Sequence, residues 1–370
     1  MKSDVLYLPQ RGQHSEMAAS LGELLKNIEL PWAKKKSRIG IKLHWGEPGN
    51  KTFLPPDYAR AVAGDILRRG AKPFIFDTTT LYRGERKNAI DSLWVAHKHG
   101  FDYGTTGAPV LVADGVSKRD TIVIPVPGNP IHQKTVKVAS LVDYIDGIIT
   151  LSHFKGHIAS GFGGVIKNIS MGFASSATKQ VMHGDVKPEL EPEKCDLCGT
   201  CAEFCPEGAI TLSDKLPIID LDACIGCGEC IAMCPTCALR IQWNARPQAF
   251  VEKLAETAAA VCERTSGRML HIIVLANITR ECDCMPKKME PLVPNLGVLV
   301  GADPIALDSA ACDLFNGAKP FPGSGIMLGA EDKLEVLFPE IPYRRQLEYG
   351  VELGMGSVEY NLIRIGNRRE

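Results

Sequence analysis

Nine of the thirteen cysteines fall between Cys195 and Cys237. Eight of them form one pattern made twice: Cys195-x2-Cys198-x2-Cys201-x3-Cys205-Pro206 and Cys224-x2-Cys227-x2-Cys230-x3-Cys234-Pro235. Thiolates are soft metal ligands, and cysteines this crowded in a chain with no visible export signal point to metal rather than to disulfides. Structural zinc takes paired C-x2-C motifs, four ligands per site, and does not require this longer run in duplicate. The doubled run is the ligation order of two 4Fe–4S clusters, in which the fourth cysteine of each run reaches across to the other cluster. One cluster is therefore expected on Cys195, Cys198, Cys201 and Cys234, the other on Cys205, Cys224, Cys227 and Cys230. Such a pair relays single electrons and performs no substrate chemistry itself.

A second constellation precedes the cysteines. Between Thr150 and Gly172 lie His153, Lys155, His157, Gly161, Gly163, Gly164, Lys167 and Asn168, and His183 closes the segment. Imidazoles and amines can move protons or bind a phosphate, a carboxylate or a metal. The glycines would let backbone amides approach an anion or a flat cofactor. The plainer alternative is turn glycines and surface histidines. Clustering of polar residues at one expected strand end favours a site with His153, His157, Lys167 and His183 as its catalytic groups. Lys42 with His44, and Asp77 with Thr78, end two further expected strands and either line the same cleft or cap turns. Cys282-Asp283-Cys284 offers a third metal site, a redox-active thiol pair, or two buried thiols. Cys262 and Cys312 fall in expected helices and read as core.

These residues need a scaffold that gathers strand ends. Apolar, β-branched runs predict strands at Val5–Leu8, 38–44, 73–77, 109–113, Thr121–Pro125, 147–151, 269–276 and 297–300. Helices are expected at 55–69, where Gly70 supplies a left-handed cap, and at 86–99, with Ala89, Ile90, Leu93 and Trp94 on one face. Others follow at 247–262 and 304–315, the latter with Asp303 as N-cap. Strands alternating with helices imply an α/β fold of mostly parallel, doubly wound sheets. The pattern resumes after the cysteines, so residues 1–187 and 244–370 are expected to form the α/β part. Residues 188–243 would be an inserted α+β ferredoxin-like module behind the proline- and glutamate-rich linker 188–194.

Three resemblances bear on function. The cysteine runs resemble bacterial two-cluster ferredoxins over about 50 residues; Cys237 departs from that pattern, which usually has a small residue there. The stretch His157-x3-Gly161-Phe162-Gly163-Gly164-x2-Lys167, then His183, resembles the lactate racemases that use a nickel-pincer nucleotide. That likeness implies Lys167 as cofactor carrier, His183 as nickel ligand and His157 as acid–base. Nearly end to end the chain resembles a domain-of-unknown-function group of iron–sulfur-centre proteins from bacteria and archaea. The shared motifs include Lys42-x-His44-x-Gly46-Glu47-x-Gly49-Asn50, Asp77-Thr78-x-Thr80-Leu81-Tyr82, Ser152-His-Phe-Lys-Gly-His157, Cys282-Asp283-Cys284 and Asp303-Pro304. This third likeness implies an α/β fold with an inserted ferredoxin module and supplies no activity.

The expected function is an iron–sulfur oxidoreductase that passes electrons to a cofactor, a metal or a small substrate in the His/Lys/Gly-rich cleft. Two alternatives stand beside it: a non-catalytic electron carrier, and a racemase-like enzyme with a metal–nucleotide cofactor. A redox partner protein or a small-molecule substrate is expected. A formal net charge of −1 gives no general basic field for nucleic acid. No apolar run of about 18 residues could span a bilayer, and a cytoplasmic location is expected.

Overall fold

The structure, a computed structural model, describes every residue except 1, 82–83, 184–187, 206, 225–229, 231–232, 237, 242–246, 286 and 367–370. An eight-stranded sheet forms the centre, in the order Tyr360–Arg364, Ser3–Pro9, Gly297–Gly301, Met269–Leu275, Gly147–His153, Arg38–Lys42, Lys72–Asp77 and Val110–Val112. The last five strands in that order run parallel. Helices cover both faces, which is why Gly147–His153 is buried at every position, Thr150, Ser152 and His153 included. Two apolar clusters fill the two faces, one around Phe76, Phe162 and Phe315, the other around Trp45, Tyr58 and Ile149.

Helix signals hold at the expected points. Gly70 takes φ +77° just past the helix Pro56–Arg68. Asp303 caps Pro304–Gly317, accepting from the amides of Ile305 and Ala306 at 2.9 and 3.0 Å. The sheet departs from the expected pattern in three places. Gly297–Gly301 lies antiparallel to both neighbours, because a loop and not a crossover helix joins it to Met269–Leu275. Thr121–Pro125 leaves the main sheet and forms a hairpin with Thr135–Ala139. The helix expected from Arg86 begins instead at Ala89, capped by Asn88, whose side chain accepts from the Asp91 amide at 2.9 Å. Its Ile90 and Trp94 face solvent, while Ala89, Ser92, Val95 and Ala96 pack inward. Small residues allow the helix to approach the sheet closely, and apolar size alone misjudges that face.

The segment 188–194 is not a plain linker. Pro188–Leu190 pairs antiparallel with Leu239–Ile241, and Arg240 binds Glu189 and Glu191 at 3.2 and 2.7 Å. The two strands close the base of the cysteine segment, whose own small core holds Cys201, Ile210, Cys230 and Leu239. Arg119 lies over the Phe204 ring at 4.1 Å, joining that segment to the rest of the chain. Among the described residues, no helix is long and apolar enough to cross a membrane.

Candidate functional site

Three adjacent parallel strands end on His153, Lys42 and Asp77, so their carboxyl edge carries the polar residues. Ligands collect at this edge in parallel sheets because the strand carbonyls and following loops open there. Asp77 receives the buried cations Lys42 at 2.9 Å and Arg86 at 2.6 Å. Burial alone would raise its carboxyl; Lys42 and Arg86 outweigh that, with His44 and Lys179 behind them, and hold it at about 2. Lys42 also donates to Asn168 Oδ1 at 2.8 Å, and the Asn168 amide returns to Lys42 O at 3.2 Å and Ser152 Oγ at 3.0 Å. Asn168 thereby ties the helix Val165–Phe173 to two strand ends. Thr78 accepts from Lys179 Nζ at 2.7 Å. Burial lowers the Lys179 amine to about 8 against the pull of Asp114 and Asp77.

The glycine-rich stretch is a small hairpin, Lys155–His157 against Gly161–Gly163. Gly161 needs its left-handed φ of +75° for the turn and sits against Tyr343; it does not line the cavity described below. The helix start after Gly164 is not open to an external anion. The buried Asp308 carboxylate already accepts from the amides of Val165 and Ile166 at 2.7 and 2.9 Å. Burial pushes the Asp308 carboxyl up to about 7 although both amides pull it down. Gly164 is required because a Cβ there would stand 2.1 Å from Asp308 Oδ1. Gly164→Ala is therefore expected to expel the carboxylate and cost about 3 kcal/mol in denaturant unfolding. Gly163→Ala, whose Cβ would meet the flexible Lys167 Cδ at 3.2 Å and Lys155 Cε at 3.8 Å, should cost under about 1 kcal/mol. Equal losses in the two variants would refute this role for Gly164.

His153 is committed to support. Its Nδ1 contacts Asp283 Oδ2 at 2.8 Å and its Nε2 contacts Ala276 O at 2.7 Å, so both ring nitrogens face acceptors. Lys155 donates to the same Asp283 oxygen at 2.7 Å. Burial would raise Asp283, yet His153 and Lys155 hold it well below the usual carboxylate range. His157 Nδ1 accepts from the Ser160 amide at 3.1 Å and lies 2.9 Å from Ser160 Oγ, which donates to Phe162 O at 2.7 Å. Burial, followed by Lys167, keeps His157 well below its ordinary imidazole value. The same two causes bring His183 to about 4. Burial and Arg86 bring His44 to about 4 as well, although Cys284 opposes them.

A cavity of about 520 Å³ opens among these groups. Of the expected cleft residues, Lys42, His44, Asp77, Thr78, His153, Lys155 and His157 line it, as do Gly163, Gly164, Lys167, Asn168 and His183. The loop after Met269–Leu275 adds Cys282 and Cys284. Sequence reasoning missed Arg86, Lys179 and the anchoring Asp283. Lys179 was legible: it stands one helical turn before His183 on Ser176–His183, so the two share a face. Arg86 gave no signal, since its charge read as the solvated start of a helix. Five cations line the cavity against two carboxylates, Asp77 and Glu281. Among the described residues, Lys167 Nζ makes no hydrogen bond or ion pair.

In the cysteine segment, Cys195, Cys198, Cys201 and Cys234 line one small cavity. The sulfur of Cys205 accepts from the Ala209 amide at 3.2 Å. Burial would raise the Cys234 thiol, but the backbone amides of Leu239, Ala238 and Thr236 and the Thr236 hydroxyl bring it below its usual value. Four of the expected cluster ligands thus share one cavity, with backbone amides aimed at the sulfur of Cys234. Cys205 and Cys230 share the segment's core, while Cys227 and Cys237 lie outside the described residues. Among the described residues, no group of three or more His, Cys, Asp or Glu side chains is placed to hold a metal ion. Cys312 is buried in the core, and Cys262 packs against it.

Residues 39–313 match the profile of the family described as Domain of unknown function (DUF362). No curated protein matches the chain. Several solved chains align with it at low similarity, two of which follow. A structural-genomics crystal structure of a Thermotoga maritima protein does so at 11% identity and TM-score 0.42, over 92% of this chain and 59% of that one. The lactate racemase apoprotein from Thermoanaerobacterium thermosaccharolyticum does so at 12% identity and TM-score 0.35, over 74% and 51%. The chain thus spans less than two thirds of either solved protein.

Proposed function

The chain belongs to the domain-of-unknown-function family DUF362, and on that premise we propose that it is an iron–sulfur oxidoreductase acting on a small anionic molecule or cofactor in the cavity. Two 4Fe–4S clusters, on the two cysteine sets named above, supply or accept the electrons one at a time. Residues 188–243 act as the relay module and the flanking α/β part holds the site. One observation carries this reading. The chain leaves for the cysteine segment just after His183 and returns from it at Pro247, and both of these residues line the cavity. The relay is therefore tethered at the site at both ends. The excess of cations in the lining favours an anion.

The test is metal analysis of protein purified under argon. About eight iron and eight sulfide per chain are expected, falling to about four of each in Cys198→Ser. Zinc in place of iron would remove the reading. If the clusters reduce but phosphate and small carboxylates leave Lys167 accessible to amine modification, the chain is a carrier and not an enzyme. The cavity also gathers His157, Lys167 and His183, the trio a racemase-like enzyme would use. Nickel together with a mass adduct on the Lys167 peptide would replace the oxidoreductase reading with that one.

A further inference from the structure

We propose that Cys282 and Cys284 form a dithiol–disulfide couple that stores two electrons inside the cavity. This deepens the oxidoreductase reading and rests on it. The two cysteines are alternate residues in the loop that follows Met269–Leu275. Between them Asp283 is turned away from the cavity and fully buried, clamped by His153 at 2.8 Å and Lys155 at 2.7 Å. The backbone is held as well: the Glu47 amide donates to Asp283 O at 3.1 Å, and the Met285 amide to Cys282 O at 3.0 Å. Pinning the central side chain on one side leaves its neighbours to project toward the other. Both thiols line the cavity, on either side of the pinned Asp283.

The surroundings suit thiol–disulfide chemistry. Cys284 Sγ stands 3.6 Å from His44 Nε2. The hydrogen bond from Cys282 comes first among the influences that hold the Cys284 thiol well below its ordinary value; burial opposes it, and His44 and Lys167 add to it. The thiolate is the attacking and leaving form in disulfide exchange, so an asymmetric pair with one acidic member is suited to opening and closing the bond. Cys282, raised by the same contact and by burial, is the member that keeps its proton.

The electron count matches the relay. Reduction breaks the sulfur–sulfur bond as two electrons enter it, one from each of two one-electron iron–sulfur donors. Cys282 takes one proton from solvent in the cavity and Cys284 remains a thiolate or takes a second. Oxidation runs the same balance in reverse: the bond forms, two electrons return to the clusters, and the protons leave. A couple of this kind would join single-electron delivery to two-electron chemistry on a substrate.

The experiment uses the full chain purified under argon. Samples are equilibrated in glutathione buffers of graded oxidation, quenched in acid, alkylated and digested, and the peptide bearing Cys282 and Cys284 is weighed. It should carry two alkyl groups at the reducing end. At the oxidising end it should carry none and weigh two hydrogens less, with a single two-electron transition between. Cys284→Ser should leave one alkyl group on Cys282 in every buffer. When a photoreduced flavin supplies electrons, Cys198→Ser should slow reduction of the disulfide about tenfold while its glutathione titration stays unchanged. A dialkylated peptide in every buffer would overturn the couple. So would one zinc or nickel per chain released by Cys284→Ser, or equal flavin-driven rates in the two proteins. Iron-free protein defeats the oxidoreductase reading, whereas iron-loaded protein with an unchanging dithiol defeats only the couple.

Discussion

Asp77→Ala is expected to destabilise the protein by about 3–5 kcal/mol, because it strands two buried cations at once. Lys42 and Arg86 are each only 1% exposed and both point at this carboxylate. Desolvated charges that lose their partner cannot regain water without opening the sheet edge. Arg86 keeps Glu47 at 3.6 Å, and Lys42 keeps Asn168, so some compensation remains. Gly172 leaves no slack for Lys42 to move, since a Cβ there would lie 1.9 Å from Lys42 Cε. Asp77→Asn, which keeps an acceptor at nearly the same size, should lose less. Denaturant midpoints for both variants decide the matter. A loss below about 1 kcal/mol for Asp77→Ala would show that the cations are solvated through the cavity and that the triad does not hold the strand ends.

Acid lability of the central sheet is the second large effect, and it belongs to His271. This residue is 1% exposed on Met269–Leu275, with Nδ1 2.9 Å from the Thr150 hydroxyl on the neighbouring strand. Burial lowers its imidazole to about 3. An unfolded chain binds the proton near pH 6.5. The unfolded state is therefore protonated first, and the stability this histidine carries at neutral pH is lost as the pH falls from about 6.5 toward 3. At pH 4 the loss is about 3.5 kcal/mol, from roughly 2.5 pH units at about 1.4 kcal/mol each. Asp308 acts in the opposite sense over the same window. Its folded value of about 7 lies above that of an unfolded carboxyl, so its contribution is present in acid and fades as the pH rises through 7. The comparison of His271→Leu with the parent protein isolates the imidazole. Between pH 7 and pH 4 the variant should lose about 3.5 kcal/mol less than the parent. Parallel stability curves would refute the assignment.

The site also illustrates how electrostatic supply is arranged. Asp77 in the lining pairs with Lys42 and Arg86, and Asp283 behind it with Lys155, while Lys167 lines the cavity with no hydrogen bond or ion pair among the described residues. Buried pairs brace the site, and the Lys167 amine belongs to none of them. His153, a catalytic candidate by its position, has both ring nitrogens on acceptors, Asp283 Oδ2 and Ala276 O.

Local spacing determined what could be read without a structure. The doubled cysteine run, the left-handed glycine after Pro56–Arg68, the Asp303 cap and the short β-branched run at 147–151 each express a rule confined to a few neighbouring residues. That is why the α/β class and the placing of Lys42, Asp77 and His153 at strand ends were legible. Tertiary structure alone decided which polar residues face the cavity and which brace it. Asp308 comes from a helix more than 140 residues away to occupy the amides that the glycine stretch seemed to offer to an anion. Arg86 turns inward because Asp77, nine residues before it, needs a second cation once both are buried. Cys282 and Cys284 reach the histidine–lysine wall because Met269–Leu275 pairs in parallel with Gly147–His153, which brings the following loops to one edge. Charge and burial compete over distances that no local pattern spans, so these roles appear only when the chain has closed on itself.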